Sequence, residues 1–285
     1  MQLEKILPTN GPSIKEVKKY IDKYSNDIIV IKCGGSVLVD KHLFNNFIED
    51  ITVINKLGLS AVVIHGGGKN IKKKLDQQKI ETRFIDGLRV TDEKTIKVVE
   101  EALLELNLKI LNNINSHQGS AHSITPQKNN IIKVRSEKEE LGYVGSPISI
   151  DKKEIINSIN DKKIPIIVPM GLGKDEKLYN INADVAAGSI AKELKARRLL
   201  LMTDVEGVLD QDNKLITELN SDFAKKMLEK KIISGGMIPK IHTCLDAVNN
   251  GVTGVVIVDG RKSHSILFEI FSDKGAGTLI RKWKI

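Results

Sequence analysis

A chain of 285 residues with 41% hydrophobic residues can build one large α/β domain or two smaller ones around a full core, and its 28% charged residues describe a globular chain, not a disordered one. The formal net charge is +8, yet all but seven of the 44 basic residues are lysine, a point charge, whereas base readout and planar phosphate clamps favour arginine. Aromatic residues are 4%, too few for base-stacking platforms, and acids follow the basic runs, so the excess reads as a solvated lysine surface with no nucleic-acid partner.

Residues 8–12 (PTNGP) are a breaker cluster. Ser13 and Glu16 then have capping-box spacing, and Ile14, Val17, Tyr20, Ile21 and Tyr24 recur at helical intervals, which predicts a short amphipathic helix before the main fold. The run IIVI (28–31) has the continuous apolar character of a buried strand and ends in KCGGS, followed by a predicted helix over 42–57. A second such strand, AVVI (61–64), ends in HGGG and leads into another helix near Lys69. Asp86–Gly87 marks a hairpin turn within 83–90, and Thr91, followed by Asp92 and Glu93, caps a long helix to about 115. Residues 119–150 read as hairpins or flaps at a sheet edge; a helix near 151–160 leads to a third strand, PIIV (165–168), and 169–182 reads as a long polar loop. A helix over 183–194, a strand LLLM (199–202), helices over 221–231 and 238–250, a strand VVIV (255–258) and a last strand near 277–281 complete the pattern.

Strands alternating with helices predict a three-layer α/β/α sandwich around a mostly parallel central sheet. Its divisions are expected to be an N-terminal helical arm (1–26), an N-terminal lobe (27–178) and a C-terminal lobe (179–285). Cys33 and Cys244 lie far apart, so neither a disulfide framework nor a cysteine zinc site is expected. No apolar run approaches the roughly 20 residues of a membrane helix. The first 27 residues contain acids, no arginine and no apolar h-region, so they do not read as a targeting segment.

Ligands of open α/β sheets bind beyond the carboxyl ends of the strands. Two glycine-rich loops follow two consecutive strands there, where backbone N–H groups can face an anion, and Lys32 precedes the first. Neither loop matches the P-loop or the dinucleotide fingerprint. NINAD (180–184) places three short polar side chains where one helix cap needs one, which leaves polar groups to aim at a ligand. GGMIPK (235–240) is another glycine turn entering a helix with a lysine close behind. His65 reads as structural, and the other histidines lack metal-ligand spacing.

Together IKCGGS (31–36), HGGGKNI (65–71), DGLRVTD (86–92), YNINAD (179–184), LMTDVEGVLD (201–210) and SGGMIPK (234–240) resemble the amino acid kinase family over about 28–285, in the expected order. HGGG with GLRVT and NINAD resembles the branch that phosphorylates the γ-carboxylate of N-acetyl-L-glutamate with MgATP, on the route to arginine. The resemblance implies that Lys32 and Lys240 neutralise the transferring phosphoryl group and the leaving ADP, and that Asp184 holds both lysines. It implies γ-phosphate donors in the N–H groups of Gly34, Gly35 and Gly67. It implies acetylglutamate contacts from Gly67, Gly68, Arg89 and Asn180, with Arg89 clamping the α-carboxylate. The C-terminal lobe, with Thr203, Asp204 and Leu209, would hold the nucleotide, and magnesium would be held mainly by ATP oxygens and water rather than by a protein metal site. One departure stands out: related chains carry a glycine just before YNINAD, where this one has Glu176, Lys177 and Leu178.

The helix ahead of the first strand resembles the arm of arginine-inhibited members, whose arms interlace dimers into a hexamer, a trimer of dimers. The stretch from His264 to Glu269, with Gly275 in the following turn, resembles their arginine-site signature, and Tyr20 would join it from the arm. Relatives in oxygenic phototrophs bind a PII-type signal protein. A soluble, lysine-rich chain of this kind fits the stroma of a plastid that encodes it or a bacterial cytoplasm. The alternatives are a sister kinase acting on another acid, a dinucleotide-dependent oxidoreductase, which lacks its fingerprint here, and a charge-driven nucleic-acid binder.

Overall fold

Each continuous apolar run becomes a strand buried on both faces in the computed structural model, which describes residues 3–282. The first half of the chain contains α1 (Ile14–Tyr24), β1 (Ile28–Cys33), α2 (Lys41–Lys56), β2 (Ser60–His65), α3 (Gly68–Gln77), the hairpin β3 (Phe84–Ile85) and β4 (Leu88–Arg89), α4 (Glu93–Ser116) and β5 (Ala121–Ile124). Next come β6 (Ile132–Ser136), β7 (Gly145–Ile150), α5 (Lys153–Asn160), β8 (Ile164–Ile167), β9 (Met170–Leu172), β10 (Leu178–Asn180) and α6 (Ala183–Glu193). The chain continues through β11 (Arg198–Thr203), β12 (Glu218–Asn220), α7 (Ser221–Glu229), α8 (Met237–Asn249), β13 (Val255–Asp259), α9 (Ser265–Phe271) and β14 (Gly277–Arg281).

Eight strands form the main sheet in the order β12-β14-β13-β11-β1-β2-β8-β5. From β13 to β5 every neighbouring pair is parallel, and β14 runs antiparallel to β13. Side chains alternate across this sheet. Val30, Val62 and Leu199 face a layer built from α5, α6, α7 and α8, while Ile29, Ile31, Val63 and Leu200 face a layer built from α1, α2, α4 and α9. The result is the expected three-layer sandwich. Because the central strands are parallel, the loops after β1, β2, β8 and β11 all emerge at one edge, where a ligand can reach them.

The capping box forms as its spacing predicts: the Ser13 hydroxyl accepts the Glu16 N–H, and the Glu16 carboxylate accepts the Ser13 N–H at 3.0 Å. Val17 and Tyr24 bury against the main core, so α1 packs on α9. At α4 the cap is Asp92 rather than Thr91, its carboxylate accepting the Thr95 N–H at 2.7 Å.

Three expectations change. Residues 119–150 are not all edge flaps, because β5 adds to the main sheet beside β8. The short strand β12 beside β14 has no apolar run to announce it. Residues 169–182 are not an open loop: β9 and β10 pair antiparallel and join β6 and β7 in a four-stranded sheet, order β10-β9-β6-β7. The turn between β9 and β10 puts Glu176 at φ 58°, the left-handed region where glycine is at ease. Asp175 holds that turn by accepting from the Lys177 N–H at 3.3 Å and the Tyr179 hydroxyl at 3.0 Å, so the departure at 176–178 leaves the hairpin formed.

A Cβ at Gly277 would stand 1.9 Å from the Ile257 carbonyl oxygen on β13. Gly277→Ala is therefore expected to separate β14 from β13. It should destabilise the fold by at least about 2 kcal/mol and lower Tm by roughly 4 °C or more. An unchanged thermal melt would contradict this packing.

Candidate active site

At the carboxyl edge of the sheet, one carboxylate stands between two ammonium groups. Lys32 Nζ, near the end of β1, lies 2.9 Å from Asp184 Oδ1, and Lys240 Nζ, in the first turn of α8, lies 2.5 Å from Oδ2. The Lys240 contact is an aligned hydrogen bond, and the Lys32 contact is a close ion pair of poorer alignment. Lys32 also points at the Met202 carbonyl, 3.5 Å away, on the neighbouring strand β11.

Local structure explains how Asp184 is held. The Asn182 side chain caps α6, its Oδ1 accepting the N–H groups of Asp184 at 2.9 Å and Val185 at 3.2 Å. Asp184 then lies in the first turn, where a helix dipole favours an anion. Lys240 lies in the first turn of α8, where the dipole opposes a cation, so Asp184 offsets that cost. Burial alone would raise the Asp184 carboxyl, but the fields of Lys32 and Lys240 outweigh it and hold it at about 2.

The glycine loops approach this clamp. A Cβ at Gly34 would be 2.7 Å from Lys32 Nζ, so a side chain there would press on the clamp itself. Gly35 takes φ +62°, and the Asp204 carboxylate fills the space where its Cβ would stand. Asp204 Oδ1 accepts the Ser36 N–H at 3.0 Å, while Lys69 on α3 donates to the Ser36 hydroxyl at 3.0 Å and lies 3.8 Å from Asp204. Gly67 and Gly68 begin α3 across the cleft.

Arg89 closes the far side. Its guanidinium donates to the Thr82 hydroxyl at 3.1 Å and the Gly68 carbonyl at 3.2 Å, and lies 4.7 Å from the centre of the Phe84 ring. It is only 8% exposed, yet no carboxylate among the described residues comes within ion-pair distance. A buried cation with neutral partners alone is costly, which leaves a place for an anion.

The cleft so formed has a volume of about 220 Å³. Lys32, Gly34, Gly35, Gly67, Gly68 and Arg89 line it, together with Asn180 and Asp184. Lys240 reaches it through Asp184. Of the three short polar residues in NINAD, Asn182 is the cap, and Asn180 and Asp184 are left to face the cleft. Thr203 and Asp204 sit just after the cleft, at the end of β11, and Leu209 is exposed further along that segment. Thr82, Phe84 and Ser36 were not singled out from the sequence. Phe84 was the most legible of them, as a lone aromatic two residues before a DG turn. No group of three or more His, Cys, Asp or Glu side chains among the described residues could hold a metal ion.

The second candidate site lies between α1 and the C-terminal turn. Tyr20 donates its hydroxyl to Asp273, which also pairs with Lys19 at 2.6 Å. Glu269 Oε2 accepts the Ala276 N–H at 2.8 Å, and Gly275, at φ +66°, packs against that carboxylate. Burial pushes the Glu269 carboxyl up. His264, at the start of α9, is engaged elsewhere: its Nδ1 lies 2.6 Å from Asp50 Oδ1 on α2, both buried.

The fold and the lysine–carboxylate clamp at its open edge define the class, and a model of the amino acid kinase family matches residues 27–259. The chain belongs to that family. Within it, the chain is similar to proteins named acetylglutamate kinase. It is 54% identical to that of Pelagibacter ubique, over 99% of this chain and 98% of the relative. It is 42% identical to that of Rhodospirillum rubrum, over 94% and 91%. Among solved structures, the N-acetylglutamate synthase of Neisseria gonorrhoeae shares the fold at a TM-score of 0.86 with 23% identity; the match covers 96% of this chain and 65% of that longer one. The carbamate kinase of Giardia lamblia shares it at 0.66 with 15% identity, over 91% and 100%. No helix among the described residues is long and apolar enough to cross a membrane.

Asp184→Asn would leave two ammonium groups facing each other without an anion. It is expected to destabilise the fold by about 3 kcal/mol at neutral pH. Because the folded-state pKa of Asp184 is depressed to about 2, the stabilisation is present above the ordinary carboxylate value of 3.8 and lost as pH falls toward 2. Urea unfolding of both proteins checks this; a stability difference that varies between pH 5 and pH 8 would contradict it.

Proposed function

We propose that this chain transfers the γ-phosphoryl group of ATP to the γ-carboxylate of N-acetyl-L-glutamate, giving N-acetyl-L-glutamyl 5-phosphate in the second step of arginine and ornithine biosynthesis. The observation that carries the reading is the pairing of a lysine–aspartate–lysine clamp with a buried, carboxylate-free Arg89 across one small cleft. The clamp suits a phosphoryl group in flight, and the guanidinium fork suits the α-carboxylate of the acceptor.

The acceptor is already a nucleophile, so no general base is required. A carboxylate oxygen forms the new P–O bond while the bond from the γ-phosphorus to the β–γ bridging oxygen breaks, and ADP leaves. The residues contribute position and charge. Lys32 and Lys240 neutralise the equatorial and leaving oxygens, Asp184 fixes both ammonium groups, and the N–H groups of Gly34, Gly35 and Gly67 donate to the phosphoryl oxygens. Gly67, Gly68, Arg89 and Asn180 hold the acetylglutamate. Thr203, Asp204 and Leu209 belong to the nucleotide side, in the lobe from residue 179 onward. Magnesium, when bound, would offset phosphate charge and would be held mainly by ATP oxygens and water. The relatives named above are bacterial, which favours a bacterial over a plastid setting.

Lys32→Ala and Lys240→Ala should each lower kcat by about 10²–10³-fold with the fold retained, read as ADP release with N-acetylglutamate and MgATP. Preference for another acid, such as an aminoadipate derivative or aspartate, would overturn the substrate assignment. Near-normal turnover in either variant would overturn the mechanism.

L-arginine is the proposed effector, acting on a hexamer. Glu269 is half-buried on α9, against which the arm helix α1 packs; no cation lies within ion-pair distance of it among the described residues, while the fields of Arg198 and Lys23 reach it. A guanidinium would pair directly with that carboxylate. Saturating arginine should therefore inhibit the protein, and Glu269→Gln should abolish the inhibition while leaving uninhibited turnover within about twofold, since a lost charged hydrogen bond weakens binding by roughly tenfold or more. Unchanged activity in arginine, with sedimentation as a dimer, would contradict the proposal.

A further inference from the structure

Behind the second glycine loop lies a closed polar network that the chemistry above does not use. His65 is fully buried at the end of β2, and Asn107 of α4 is 1% exposed. Asn107 Nδ2 lies 3.0 Å from the Ile166 carbonyl oxygen and 3.1 Å from His65 Nε2, and Asn107 Oδ1 accepts the Ser123 hydroxyl at 2.5 Å. A carbonyl can only accept, so the atom facing Ile166 must be the amide nitrogen. That nitrogen then donates its second hydrogen to His65 Nε2, which must be bare. The remaining ring proton is therefore on Nδ1, which lies 3.0 Å from the Gly66 carbonyl oxygen.

The consequence reaches the cleft through one peptide plane. The Gly66 N–H is already taken by the Cys33 carbonyl at 2.6 Å, and the Gly66 carbonyl is taken by His65. In a trans peptide the next N–H points opposite to that carbonyl. It belongs to Gly67, which lines the cleft and has no acceptor for its N–H among the described residues. From this geometry we infer that His65 is a positioning residue: as the neutral Nδ1–H tautomer, locked by Asn107, it grips the Gly66 carbonyl and so aims the Gly67 N–H at the transferring phosphoryl group. Burial supports a neutral ring by pulling the imidazole down to about 4. The aim at a phosphoryl group rests on the reading given under Proposed function; the tautomer and the grip do not.

Two measurements test it. Nitrogen-15 imidazole spectra of the intact wild-type protein should show His65 protonated at Nδ1 and bare at Nε2, unchanged from pH 6 to pH 8; an Nε2–H or doubly protonated ring overturns the proposal. His65→Leu removes the donor, whereas His65→Asn keeps an amide N–H close to the Nδ1 position. His65→Leu should lower kcat by about tenfold or more with KM for N-acetylglutamate within about twofold, since a misaligned donor costs transition-state more than ground-state binding. His65→Asn should restore kcat to within about threefold of wild type. Equal losses in both variants, or a folded His65→Leu protein with wild-type kcat, overturn the positioning role. If the wild type does not phosphorylate N-acetylglutamate at all, the reading of the reaction fails, and the spectra still decide the network.

Discussion

Two like charges brought to one point beyond the end of a parallel sheet need an anion between them, and Asp184 supplies it. Lys32 comes from β1 and Lys240 from α8, so the carboxylate ties together segments more than 200 positions apart in sequence. Exposed ion pairs contribute little to stability, but this one is nearly closed to solvent, with the side chains of all three residues under 20% exposed. The cost of desolvating three charges explains the surrounding features. Asn182 caps α6 so that Asp184 cannot swing away, and Gly34 has no side chain because a Cβ would displace Lys32.

The rest of the cleft uses backbone where another fold might use side chains. The glycine loops after β1 and β2 bring N–H groups close, and their shape is fixed from behind. Asp204 holds the Ser36 N–H, and His65 engages the Gly66 carbonyl. Donors aimed this way need no reorganisation when negative charge develops in front of them. The cleft therefore depends on residues that never face it, and a buried histidine that looks structural in sequence does have a structural contact. That contact falls on a peptide adjoining the site.

What was legible in the sequence follows from how strongly each feature constrains residue type. The five central strands were legible because burial on both faces demands unbroken Ile, Val and Leu. The glycine loops and NINAD were legible because close backbone approach and surplus polar groups are rare without a ligand. Strands β9, β10 and β12 were not, because each is three residues long and the first two sit in a polar hairpin whose left-handed turn residue is Glu176 rather than glycine. The role of Thr82 and Phe84 was hidden because it depends on the fold of the β3–β4 hairpin over Arg89, which spacing alone does not specify. The place of His264 was hidden for the same reason: its partner, Asp50, lies 214 positions away.

The net charge of +8 says little about partners until it is divided by location. Most lysines are solvated or paired with a nearby acid, as Lys72 is with Asp76 and Lys74 with Glu101 and Glu105. The informative charges are those buried without a full complement. In the cleft, Lys32, Lys240 and Arg89 face a single carboxylate, so the excess there is positive, and the ligand that completes it must be anionic at both ends. Under α1 the balance is closer to even: Glu269 is half-buried with no cation in ion-pair distance among the described residues, yet the fields of Arg198 and Lys23 already act on it. A carboxylate that already feels cations on its own chain selects a ligand weakly, so of the two places the cleft is the one whose charge balance constrains what it binds.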